Sequence, residues 1–151
     1  MILSVNNLAF TYPSHSVLHE INFSICKGDF LAVLGINGAG KTTLLKCINR
    51  ILKPCAGSVF ISKGNISKLS QREIAKRIGY VAQQQESSCM TVYDAVLLGR
   101  KPYIQWEASG KDLEITQDVL KTLDLDSYAL RQLNELSGGE QQKVAIARAL
   151  V

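Results

Sequence analysis

Residues 2–10 and 17–25 are short, β-rich and partly alternating, on either side of the turn-like Tyr12-Pro13-Ser14-His15-Ser16. A period of two turns alternate side chains to one face, so the two runs are expected to pair as antiparallel strands. Phe30-Leu31-Ala32-Val33-Leu34 is continuously apolar, the pattern of a strand covered on both faces, as in a parallel sheet. A glycine-rich turn follows. Thr42 to Leu52 then place apolar residues at Leu44, Leu45, Ile48, Ile51 and Leu52, a helical spacing that Pro54 closes.

Gly57-Ser58-Val59-Phe60-Ile61 reads as a further strand, Arg72 to Arg77 as a short helix, and Ile78-Gly79-Tyr80-Val81-Ala82 as a second buried strand. The character changes from Thr91 onward. Residues 91–99, 111–123 and 126–132 carry helical patterns with no strand-like run, and a last helix is expected to begin near Gly138. Three regions follow: a β subdomain with a glycine-loop core over 1–85, a helical subdomain over 86–136, and a terminal helix over 137–151. Val144 to Val151 continue a helical pattern that no Gly, Asn or Pro closes, so the chain is expected to be cut in mid-helix.

Composition narrows the class. With 151 residues, 46% hydrophobic and 20% charged, one globular domain is expected, and a disordered or low-complexity chain is excluded. The net charge of +4 comes with no polybasic block, so nucleic acid is not expected as a partner. No run approaches the ~20 apolar residues of a membrane-spanning helix, and the N-terminus does not read as a signal peptide. Cys26, Cys47, Cys55 and Cys89 are spaced 21, 8 and 34 residues apart, without a zinc pattern. Reduced, mostly buried thiols are expected. His15 and His19 are expected at the surface.

The strongest chemical signal is Gly35-Ile36-Asn37-Gly38-Ala39-Gly40-Lys41-Thr42, a complete G-x-x-x-x-G-K-[ST] run between a strand pattern and a helix pattern. Glycines 35, 38 and 40 let the backbone adopt positive φ and approach a ligand closely. Successive N–H groups can then face inward as an anion nest, reinforced by the positive end of the following helix. Lys41 is placed to reach the β- and γ-phosphates of a nucleoside triphosphate, and the Thr42 hydroxyl to ligate magnesium. Thr43 is next in line for the α-phosphate. Asn37 and Ala39 contribute backbone to the same cradle.

A second motif, Leu136-Ser137-Gly138-Gly139-Glu140-Gln141, follows, with Ser137 standing 96 residues after Lys41. Ser137 suits a helix N-cap, Gly138 and Gly139 leave N–H groups bare, and Glu140 in the first turn suits the helix dipole. This hexapeptide resembles the signature motif of ATP-binding cassette (ABC) ATPases, and with the phosphate loop the resemblance runs from about Ile2 to Val151. The resemblance implies an α/β fold: a P-loop NTPase core with an N-terminal antiparallel β subdomain and an inserted helical subdomain, incomplete at its C-terminus.

The resemblance also implies roles for these residues. Tyr12, 23 residues before Gly35, matches the family's aromatic that stacks on adenine. Gln83 matches the glutamine that touches magnesium and the attacking water, with Gln84 as the neighbouring register. Ser137, Gly138, Gly139 and Glu140 would serve the ATP held by a partner's phosphate loop, in a head-to-tail homodimer or paired cassette. ATP and magnesium are the implied cofactors. Transmembrane permease subunits of an importer are the implied partners, at the cytoplasmic face of the membrane. The family's Asp-Glu strand and switch histidine lie beyond the signature helix, and this chain stops before them. It is therefore expected to bind ATP but hydrolyse it poorly alone.

Val96-Leu97-Leu98-Gly99-Arg100-Lys101-Pro102-Tyr103 contains Val-x-x-Gly-Arg-x-Pro-Tyr. It resembles the ATPases of iron-chelate (siderophore or haem) and cobalamin importers. Other readings are a non-catalytic nucleotide-binding fragment, the ATPase of another metal or small-solute transporter, and a soluble ABC ATPase of DNA repair or translation.

Overall fold

A computed structural model describes residues 1–62, 64–83 and 89–151. It divides into two compact units, Met1–Ile78 and Gly79–Val151.

In the first unit, β1 (Leu3–Tyr12) pairs antiparallel with β2 (His15–Ile25) on one side and with β3 (Ala56–Ile61) on the other. The short β4 (Gly64–Asn65) extends the sheet to the order β2-β1-β3-β4. Strand register runs from Leu3 opposite Ile25 to Tyr12 opposite His15, so only Pro13 and Ser14 make the turn. The apolar half of this alternation is buried: Val5, Leu8, Phe10, Leu18, Val59 and Ile61. Helix α1 (Lys41–Ile48) packs Leu44, Cys47 and Ile48 into the same core, which Ile66 and Ile74 complete. Ile74 comes from α2 (Gln71–Ala75), capped by Ser70 and Glu73 in a reciprocal capping box.

The second unit is helical. It contains α3 (Val92–Leu97), α4 (Gly110–Thr122) and α5 (Gly138–Leu150), joined by single 3-10 turns at Leu98–Arg100, Asp126–Tyr128 and Leu133–Glu135. Val92, Val96, Leu120, Leu125, Leu133, Val144 and Ala147 form its core. Each helix start carries a hydroxyl cap: Thr91 on α3, Ser109 on α4 and Ser137 on α5.

Several expectations are corrected. The two apolar runs read as buried parallel strands, Phe30–Leu34 and Ile78–Ala82, form no strand. Phe30 is 94% and Leu34 89% exposed. A strand covered on both faces needs a ladder neighbour, and neither run finds one among the described residues, where every ladder is antiparallel.

The helix after the glycine loop stops at Ile48 rather than Leu52, because Arg50 turns to φ +53° and sends its guanidinium to the carbonyls of Ile66 and Leu69. Residues 126–132 make one 3-10 turn rather than a helix. The backbone there is drawn into tertiary pairing, with Val92 N–H donating to the Arg131 carbonyl at 2.9 Å and Leu133 N–H to the Met90 carbonyl at 3.1 Å. The four thiols are free, but only Cys47, on the inner face of α1, is buried. Cys26, Cys55 and Cys89 lie outside the helices and are exposed, against the expectation of mostly buried thiols. His15 and His19 are exposed.

Candidate nucleotide site

The loop from Gly35 to Gly40 enters α1 through a left-handed turn. Gly38 has φ +84° and Gly40, the N-cap, φ +88°. Gly40 is doubly constrained: a Cβ there would also stand 2.7 Å from Val17 Cγ1 on β2. Glycine therefore sets both the handedness of the turn and how closely the loop lies on the sheet. Ala39 N–H bonds the Ile36 carbonyl at 3.3 Å, and Leu44 N–H closes the first helical bond to Gly40 at 2.8 Å.

No side chain caps α1, and no acidic residue stands in its first turn. The leading N–H groups, from Lys41 to Thr43, thus keep their positive potential without a side-chain oxygen upon them. Lys41 Nζ folds back to donate to the carbonyls of Gly35 and Ile36, each at 2.7 Å. Two of its three donors steady the loop. The Thr42 hydroxyl is exposed on the first turn, whereas Thr43 is buried and shares a 3.4 Å hydrogen bond with the Tyr12 hydroxyl. Tyr12 packs edge-on against Phe10, with ring centroids 4.9 Å apart, and tilts toward His15. The first unit thereby brings Tyr12 to the same helix start as Lys41, Thr42 and Thr43.

In the second unit, Ser137 caps α5. Its hydroxyl accepts from Glu140 N–H and donates to Glu140 Oε2, while its own N–H donates to the same oxygen at 2.7 Å. These Ser137 hydrogen bonds, first the hydroxyl and then the N–H, hold the Glu140 carboxyl below its usual range, with help from Tyr128 and Arg131. Gly138 and Gly139 are open: a Cβ on either would meet nothing within 4 Å. Their N–H groups, at the first two helical positions, lie outside the capping box. Gln83 is exposed. Gln84 lies outside the described residues.

Sequence reading missed two structural supports. Gln141 Nε2 donates to the carbonyls of Leu133 and Leu136 at 3.1 Å each, fixing the loop that enters α5. The hexapeptide already contained this residue. The other support is Arg100, which the sequence marked only as part of the Gly-Arg-x-Pro-Tyr resemblance, with no sign of its partners. It is largely buried and ion-paired to Asp112 at 2.9 Å.

The chain as a whole has known counterparts. The sequence pattern of the ABC transporter family matches residues 18–151. An uncharacterized ABC transporter ATP-binding protein of Methanocaldococcus jannaschii is 58% identical over the whole chain, which covers 59% of that protein. A phosphonates import ATP-binding protein of Oceanobacillus iheyensis is 38% identical, over 99% of the chain and 63% of its own length. A probable siderophore transport system ATP-binding protein of Bacillus subtilis is 35% identical, over 98% of the chain and 55% of its own length. Among solved structures, a dimeric ATP-binding cassette in a post-hydrolysis state with ADP and Pi matches 99% of the chain and 69% of its own, at 31% identity and a TM-score of 0.84. The chain thus spans about three fifths of the length of the curated relatives it matches. Its fold is that of the P-loop ATP-binding cassettes, and the chain belongs to the ABC transporter family.

Proposed function

We propose that this chain is the nucleotide-binding part of the ATP-binding subunit of an importer. ATP binding and hydrolysis to ADP and phosphate would drive solute uptake through transmembrane permease subunits at the cytoplasmic face of the membrane. The observation that carries the reading is the uncapped start of α1, with left-handed glycines before it and Lys41 held on the loop. In this proposal the N–H groups of Gly38 to Thr43 and the Lys41 ammonium bind the phosphates, and Tyr12 supports the base. Magnesium, a hard cation that takes neutral hydroxyl oxygens beside phosphate oxygens, would be held by the Thr42 hydroxyl. It would neutralise charge developing on the phosphates. Ser137, Gly138, Gly139 and Glu140 would present a second phosphate-binding helix start to the ATP of a paired copy.

The test is binding of a fluorescent ATP analogue with magnesium, followed by phosphate release. Binding with slow turnover is the expected outcome for these 151 residues, since the family's water-orienting carboxylate is not among them. No binding would defeat the proposal.

The cargo proposed is an iron chelate (siderophore or haem) or cobalamin. The Gly99-Arg100-Lys101-Pro102-Tyr103 run and the siderophore-system relative support it. The phosphonate-import relative favours a second reading, phosphonate uptake. Loss of labelled iron-siderophore, haem or cobalamin uptake on deleting the gene supports the first. Loss of phosphonate uptake alone supports the second.

A further inference from the structure

The run that suggested a cargo class has a different place in the fold. Gly99 lies against α5 so closely that a Cβ would stand 2.1 Å from the Arg148 carbonyl oxygen and 2.5 Å from Val151 Cγ2. Gly79 meets the same turn, its would-be Cβ 2.8 Å from the Ala149 carbonyl oxygen. Arg100 reaches it with a side chain: Nη1 donates to the Val151 carbonyl at 3.1 Å, while Nε pairs with Asp112 Oδ1 at 2.9 Å. The guanidinium also lies 4.0 Å from the Tyr103 ring centroid. Asp112 is fixed in turn by the Ser109 N–H and hydroxyl at the start of α4. One planar fork thus joins α3's end, α4's start and the last described turn of α5.

We propose that Arg100 is a positioning residue. With Gly79 and Gly99 it seats the far end of α5 and so sets the aim of the Ser137, Gly138 and Gly139 groups at the helix start. The 13 residues of α5 span about 20 Å, so a small tilt at the seat becomes a displacement at the tip. This deepens the reading of α5 as a phosphate-binding helix start and rests on it.

The test compares the full chain with its R100K and G99A variants. Lysine keeps the charge but loses the fork that serves Asp112 and Val151 together. Four readings are taken: analogue affinity, thermal midpoint, self-association in MgATP by sedimentation, and amide exchange along α5. The expected result for both variants is unchanged analogue affinity, self-association weakened about tenfold or more, and faster exchange in α5. Parent-like self-association and exchange in R100K overturn the proposal. So does joint loss of analogue binding and thermal stability in both variants, because Arg100 then keeps the unit folded and aims nothing. If the parent itself binds no analogue, the nucleotide reading fails separately. Exchange then decides: faster in R100K upholds the seat, and unchanged exchange overturns it.

Discussion

Helices α1 and α5 both follow glycine-bearing turns or open on glycine, yet their first turns are finished in opposite ways. At α1 the N-cap is Gly40, no side chain reaches the leading N–H groups and no acid stands among them. At α5 the N-cap is Ser137, locked with Glu140 in a capping box. The α4 start, where Ser109 and Asp112 form the same box, shows that the second arrangement is the ordinary one in this chain. A capping box contributes local stability and occupies donors. An open start gives up that stability and keeps its potential for an anion. The difference makes α1 the stronger candidate for an anion. It also leaves α5 with only the Gly138 and Gly139 amides to offer, on a helix whose aim its far end controls.

The comparison breaks most sharply at Lys41. Lys41→Ala removes the ammonium from the α1 loop and is expected to weaken ATP-analogue binding by on the order of 100-fold. Glu140→Gln, at the other start, is expected to leave binding by the isolated chain unchanged. Comparable losses in both would erase the distinction drawn between them.

Next comes a pair of alanines. Gly40→Ala forces a left-handed φ on a side chain pressed against Val17, and should cost about 1–2 kcal/mol in urea unfolding, with loss of analogue binding. Gly138→Ala meets open space on a helical backbone and should gain about 0.5–1 kcal/mol. A destabilised Gly138→Ala would show that the α5 start is more constrained than it looks.

Acid separates the two starts by charge. Hydrogen bonds from Ser137 lower the Glu140 carboxyl, and those from Ser109, with the Arg100 contact, lower Asp112 to about 2. Folded values below unfolded ones mean that the stability these groups add is present above the ordinary carboxylate range, about 4, and is lost as pH falls through the folded values. Urea midpoints should therefore fall between about pH 4 and pH 2, with a shallower fall in Asp112→Asn. A fall of the same steepness in that variant would detach the acid loss from the Arg100 seat. The smallest effect belongs to Tyr12→Phe, which removes only a long hydrogen bond to Thr43 and should change stability by about 0.5 kcal/mol or less. Analogue affinity should hold, since the ring remains.

The glycine loop and the hexapeptide with its Ser137 cap were legible in the sequence because each is a local device. Spacing along the chain is itself the geometry of a turn or a helix start. Strands β1, β2 and β3 were legible for the same reason, since alternation such as that of Leu8 and Phe10 is set by the pleat, although a register shift between Val5 and Leu8 was not. Phe30–Leu34 and Ile78–Ala82 were misread because their apolar pattern states a demand for neighbours on every side, and a strand exists only when another backbone meets it. The contacts of Arg100 were not legible for a related reason. In sequence it is one cation beside Lys101, and its partners Asp112 and Val151 lie 12 and 51 positions away.

Sequence alone determined the family, the glycine turn that opens α1, and the Ser137 hydroxyl that begins α5. These follow from φ preferences and hydrogen bonds that reach no more than a few residues. Tertiary structure decided where α1 stops, that 126–132 is drawn into backbone pairing rather than helix, and that Gly99 and Arg100 serve the far end of α5. Each of those outcomes depends on atoms brought together from distant positions, where contact distance and the competition for a carbonyl override the local preference.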